Sequence, residues 1–101
     1  MIASNARRES TNVTDGKEPK LLNVGYGNMV TRGRVVAVVS SQSSASRRLR
    51  AEAEKRNLLV DATQGRRTRS ILVMDTGHVV MSAVNPETVS ARIEGGELEI
   101  A

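Results

Sequence analysis

Residues 70–84, "SILVMDTGHVVMSAV", decide the fold. Two apolar runs flank Asp75-Thr76-Gly77, and glycine suits the left-handed position of a tight turn. The segment therefore predicts a β-hairpin, whose strands can pair only antiparallel. Working outward, "LLVDAT" (58–63) and "RVVAVVS" (34–40) read as two further strands. Both are short, β-branched and apolar at successive positions, a pattern that predicts burial on both faces. Between them "SQSSASRRLRAEAEKRN" (41–57) turns helical. A serine within 41–44 can cap it, and Ala45, Leu49 and Ala53, with Ala51 at the margin, give a narrow apolar stripe.

At the near end, "KLLNVGYGNMV" (20–30) supplies a strand from Leu21 to Val24, opened at Gly25 and Gly27. At the far end, "NPETVSARIEGG" (85–96) reads as a second short helix. Asn85 stands at its cap, Pro86 at its first position, and Gly95-Gly96 end it. The order is strand, strand, helix, three strands, helix. That predicts an α+β fold: a small, mainly antiparallel sheet with two short helices.

The expected domain spans residues 21–95. Residues 1–20 are polar and aperiodic, which predicts a flexible N-terminal arm, and residues 96–101 form a tail. A core of that size yields on the order of 3–5 kcal/mol of net stability. The chain has no Phe, no Trp, one Tyr and no Cys, so large rings and disulfides cannot add to it. Self-association is the remaining remedy, and a homo-oligomer is expected. The longest aliphatic run, Val35 to Val39, is far short of a membrane span, and the N-terminus lacks the apolar stretch of a signal peptide. A cytoplasmic protein is expected.

The formal charge of +4 hides an asymmetry. Residues 32–69 carry ten basic against three acidic side chains, a net of +7, whereas residues 70–101 carry one against five, a net of −4. Arginine outnumbers lysine twelve to three, the preference of surfaces that make planar, bidentate contacts to phosphate or guanine. The charge is densest in the connector "DATQGRRTRS" (61–70). Gly65 lets the chain turn there. If the following residues extend, Arg67 and Arg69 point to one side and Arg66 to the other. Such arginines can hold adjacent phosphates, or one of them a guanine edge. The same residues also suit a solvated loop paired with acids elsewhere. Arg32 and Arg34, flanking Gly33 before a strand, are a second candidate phosphate contact, and the basic helix a weaker one.

Catalysis finds little support. His78 is the one histidine, no cysteine exists, and no acid pair stands out, so neither a metal site nor a general acid–base pair is expected. "GYGN" (25–28) lacks the third glycine of a dinucleotide fingerprint, because position 30 is valine. Its glycines read as structural; Tyr26 could stack on a base, but a lone tyrosine more often packs. Three function classes remain: a duplex DNA binder, an RNA-binding module, and a scaffold whose basic loop docks an acidic protein. Scarce aromatics disfavour the second.

"LLNVGYGNMV", "RVVAVVS", "LLVDATQGRRTRSILVMD" and "HVVMSAVNPETVSARI" together resemble the RemA family of small bacterial regulators of extracellular-matrix genes. The likeness runs from about Leu21 to Ile93. It implies a transcription activator, nucleoid-associated, that binds double-stranded DNA as a closed ring around which DNA bends. It also implies that Arg66 and Arg67, with Arg69, face the DNA, and that Arg34 contributes. No catalytic activity, cofactor, metal or small-molecule substrate comes with it. Family members commonly carry two prolines where this chain begins its first helix, and a Tyr where it has Gln64.

Overall fold

The computed structural model describes residues 20–95. The arm read over residues 1–20, except Lys20, and the tail read over 96–101 lie outside the described residues. Within them the chain runs through β1 (Leu21–Gly25), β2 (Asn28–Thr31), a 3-10 turn (Arg32–Arg34), β3 (Val35–Ser40), α1 (Ser44–Lys55), β4 (Leu59–Asp61), β5 (Ser70–Met74), β6 (Val79–Ser82) and α2 (Pro86–Ile93). This is the small α+β fold expected.

The hairpin is the centre of the molecule. β5 and β6 pair antiparallel, Leu72 opposite Val80 and Ile71 opposite Met81, around a turn in which Gly77 takes φ +93°. β3 joins β5 antiparallel, and β4 joins β6 in parallel, giving the order β3-β5-β6-β4. The single parallel pair follows from α1, which carries the chain from one edge of the sheet to the other. β1 and β2 form a separate two-stranded ribbon, with Leu21 opposite Thr31 and Asn23 opposite Met29.

Alternating residues of the hairpin serve two cores, because both sheet faces are covered. Leu72 and Val80 pack with Leu22 and Val24 of the ribbon, Ala62 and Val89 of α2. Ile71 and Val79 face Ala53 of α1 on the other side, with Val39, Leu58 and Met81 around them. The stripe on α1 is as narrow as its alanines imply, and Ala51 falls outside it, exposed.

Two strands depart from the sequence reading. Strands 34–40 and 58–63 were expected to be buried on both faces, yet they are the two edges of the sheet. Val36 is 66% exposed and Val60 43%. An apolar β-branched run reports affinity for a sheet, not rank within it, and strand order depends on the crossover that α1 makes.

Serine side chains set the start of α1. Ser43 is the cap residue and accepts from the Ser46 amide at 3.2 Å. Ser46 is itself buried, and its hydroxyl donates to the carbonyls of Ser41 at 2.8 Å and Ser43 at 2.9 Å. A hydroxyl so placed competes with the backbone for hydrogen bonds and fixes where the helix begins. Asn85 occupies the cap position of α2, but its side chain makes no capping bond.

Candidate nucleic-acid interface

The basic connector leaves β4 at Asp61 and re-enters the sheet at Ser70. Both of its feet stand on the end of β6: the Ala62 amide donates to the Met81 carbonyl at 2.9 Å, and the Arg69 amide to the Ser82 carbonyl at 2.8 Å. At the start, Asp61 Oδ1 accepts from the Thr63 amide at 2.9 Å and from its hydroxyl at 2.6 Å. The tip is closed by the Arg66 amide on the Thr63 carbonyl at 2.9 Å. Gln64 and Gly65 take φ +55° and +76° to make that turn. A pair of positive φ values favours glycine or asparagine, so Gln64 is the strained member.

The Thr63 hydroxyl first, and then its amide, hold the Asp61 carboxyl below the usual carboxylate range. A lowered folded value stabilises the turn at neutral pH, and that contribution is lost as pH falls through it. Asp61→Ala is therefore expected to speed amide exchange at Thr63 and Arg66 at pH 7. The wild type should show the same acceleration only in acid, after correction for intrinsic exchange. Because Asp61 is exposed, the melting temperature should move little.

β1 delivers a second loop to the same place. The Ser82 hydroxyl donates to the Val24 carbonyl at 2.8 Å and accepts from the Val84 amide at 3.0 Å, while the Ser70 hydroxyl donates to the Val84 carbonyl at 2.8 Å. These two fully buried serines tie the ends of β1, β5 and β6 together. Beyond Val24, Gly25, Tyr26 and Gly27 all take positive φ, +107°, +55° and +78°. Asn28 fastens this turn to the start of the connector, donating to the carbonyls of Gly25 at 3.1 Å and Ala62 at 3.4 Å. A Cβ on Gly25 would lie 3.2 Å from the Val84 side chain, so glycine is needed there for space as well as for φ.

The outcome is one groove of about 250 Å³ lined by Tyr26, Arg66, Arg67, Arg69 and Ala83. The three connector arginines are exposed. The chain turns at Gln64-Gly65 instead of running extended through them, and all three border one cavity. Among the described residues none of them lies within ion-pair distance of an acid. The pairing with the acidic C-terminal third that a solvated loop would use is therefore absent among those residues. Arg69 also borders a wider, open groove of about 640 Å³ with Ser40, Gln42, residues of α2 that include Glu87, and Glu94 just past its end.

Arg34 and Arg32 lie elsewhere. Arg34 sits at the hairpin turn, the opposite end of β5 from Arg69, with its guanidinium 3.3 Å from Asp75. The Asp75 amide bonds the Arg34 carbonyl at 2.9 Å, so the two residues are tied by backbone and side chain. The pair is exposed, and a solvated ion pair of this kind leaves the guanidinium able to exchange partners. Arg32 is half-buried in the 3-10 turn. Neither lines the groove.

Tyr26 departs from the packing role that sequence reasoning favoured over base stacking. It was expected to pack; it is 51% exposed at the groove. The two glycines around it signalled an unusual turn, but nothing in the sequence placed that turn beside a connector forty residues away.

The comparisons with known proteins converge on this chain. The profile of the RemA-like family, described as extracellular matrix regulatory protein A-like, matches residues 21–93. A protein of Dictyoglomus turgidum, provisionally named a regulatory protein, is 54% identical over 80 residues, which cover 79% of this chain and 94% of that one. A counterpart with a similar provisional name in Shouchella clausii is 49% identical over 78 residues, covering 77% and 90%. One in Desulfotalea psychrophila is 52% identical over 81 residues, covering 80% and 72%. The matched span starts with β1 and stops at the end of α2, taking in both loops of the groove, and on this extent of likeness the chain belongs to the RemA-like family.

Proposed function

We propose that this protein is a regulatory DNA-binding protein that assembles into a homo-oligomeric ring and holds curved duplex DNA through its arginine connectors. The observation that carries the reading is the groove: three exposed arginines, without acidic partners among the described residues, gathered on a short loop with both feet pinned to the sheet. Guanidinium groups held in place lose less entropy on meeting phosphates than groups on a free tail. Provisional naming of the relatives as regulatory proteins agrees with it.

Self-association has its own support. The outer edges of β3 and β4 are unpaired among the described residues, and each exposes a valine, Val36 or Val60. An unpaired edge is a template for another chain. Two different edges on opposite sides of one sheet make a head-to-tail contact, which closes into a ring when the rotation allows. One groove offers few phosphate contacts, and a ring repeats them along the same duplex as a gain in effective concentration. Bending 20–30 base pairs costs on the order of 1–6 kcal/mol, which the repeated contacts offset.

The exposed aromatic beside the arginines is the feature an RNA-binding module would also use. An electrophoretic titration of promoter and random duplexes, single-stranded RNA and heparin at several ionic strengths, with assembly mass measured in parallel, separates the readings. Preference for duplex over RNA of equal charge, with log affinity falling steeply against log salt by about 0.9 per phosphate contacted, is the expected result. A monomer, or a protein indifferent to duplex in dilute buffer, overturns it.

A further inference from the structure

Tyr26 stands where its backbone disfavours it. A φ of +55° is left-handed, a region that glycine and asparagine accept and that bulky residues enter at a cost on the order of 1–3 kcal/mol. Burial does not offset that cost, because half of the residue faces solvent. The flanking Gly25 and Gly27 would tolerate a third glycine or an asparagine between them, yet the chain's one aromatic residue is there. Hydrogen bonds hold the turn: the Gly25 amide donates to Asn23 Oδ1 at 2.8 Å, and Asn28 bonds both the turn and the connector. Strain of this sort persists where the surroundings fix it, and an observed outlier at a groove of charged side chains points to a ligand.

On the duplex-binding reading above, we infer that Tyr26 is a DNA-contact residue, its ring lying against the deoxyribose beside the phosphates held by Arg66 and Arg67. Base faces are stacked inside a duplex and closed to a side chain that approaches from the backbone. The sugar next to a bound phosphate is open, and its C–H surface suits an aromatic face. The phenol hydroxyl, a neutral donor, reaches toward a phosphate oxygen. Tyr26 thereby adds an uncharged contact to a surface otherwise dominated by cations. It sets how deeply the groove seats on the strand, and hence the local backbone geometry the protein prefers.

Three variants test this: Tyr26→Asn, Tyr26→Phe and the double variant Arg66→Ala/Arg67→Ala, each measured for melting temperature, assembly mass, duplex affinity and salt slope. Asparagine accepts left-handed φ, so Tyr26→Asn is expected to melt at the wild-type temperature or higher with unchanged mass. Its duplex affinity should fall by about threefold to tenfold per site, the scale of losing part of one buried aromatic face. Its salt slope should stay at the wild-type value, since no charge has been removed. Tyr26→Phe should retain most of the affinity.

Wild-type affinity in Tyr26→Asn, alongside weakened binding in the arginine variant, overturns the inference and leaves the duplex reading standing. A lowered melting temperature or altered mass in Tyr26→Asn shows that the ring is structural, which also overturns it. Loss confined to single-stranded RNA transfers the contact to another partner and rejects the sugar-packing role. Failure of the wild type to bind duplex at all removes the reading and the inference together.

Discussion

Duplex affinity is expected to fall by at least about tenfold in the Arg66→Ala/Arg67→Ala variant, with melting temperature and assembly mass unchanged. Both side chains are exposed on the tip of the connector, and among the described residues neither pairs with an acid. Their removal therefore breaks no ion pair among those residues and opens no cavity. The turn itself depends on backbone groups, the Arg66 amide on the Thr63 carbonyl, and survives a change of side chain. The loss should show up twice in the binding data. Affinity falls because charge-assisted contacts to phosphate are gone. The slope of log affinity against log salt falls by about 1.8 for each groove engaged, two phosphates at 0.9 apiece. Losing affinity without losing slope would place these arginines on base edges instead of phosphates. Unchanged binding by filter or mobility-shift titration removes the connector from the mechanism.

Arg34→Ala offers an internal contrast, since Arg34 is bonded to Asp75 at the far end of β5 and does not share the groove. Its guanidinium reaches the duplex only by leaving the Asp75 carboxylate, so an exposed ion pair worth at most about 1 kcal/mol is exchanged for a phosphate contact. If Arg34 joins the arginine connector on DNA under the proposed function, the two ends of β5 must be served by one strand of curved DNA or by different protomers of a ring.

The legible part of this fold was local. The 70–84 hairpin announced itself through two apolar runs and a glycine turn, and the serine cluster and the Pro86–Gly95 bracket marked the helices within a few residues. What was not legible was order in space. Val36 and Val60 lie in runs whose composition matches that of a central strand, and only the sheet order β3-β5-β6-β4 makes them edges. β2 was left out of the expected element order for another reason: Asn28 to Thr31 is four residues long and begins directly after Gly27, too short for a period of two to register. The site divides in the same way. Three arginines on a connector were plain, because charge density is a property of contiguous sequence. Their partner Tyr26 was hidden, because the hydroxyl of Ser82 and the amide of Asn28 are what bring residue 26 beside residue 66.

Leu72→Ala is expected to unfold the protein or leave it marginal at room temperature. Leu72 is fully buried in β5, the second strand of the sheet, with Val38 opposite it on one side and Val80 on the other. It packs in the cluster that joins the sheet to Leu22 and Val24 of the ribbon and Val89 of α2. Truncating a buried leucine to alanine costs about 2–5 kcal/mol, depending on how far the surroundings collapse into the space. Collapse is limited here. Most of the neighbours are β-branched valines, stiff at χ1, and Val38 and Val80 lie on strands whose register with β5 is fixed. A core of this size supplies about 3–5 kcal/mol in all, so one side chain accounts for most of the margin. The ribbon depends on the same cluster, and it carries the Tyr26 turn. Melting by circular dichroism and duplex binding should therefore be lost together in Leu72→Ala. In the arginine variant binding should be lost alone, and in Tyr26→Asn binding should weaken while melting holds or rises. A Leu72→Ala protein that melts within a few degrees of the wild type would show that the Leu72 cluster is not what holds the two loops side by side.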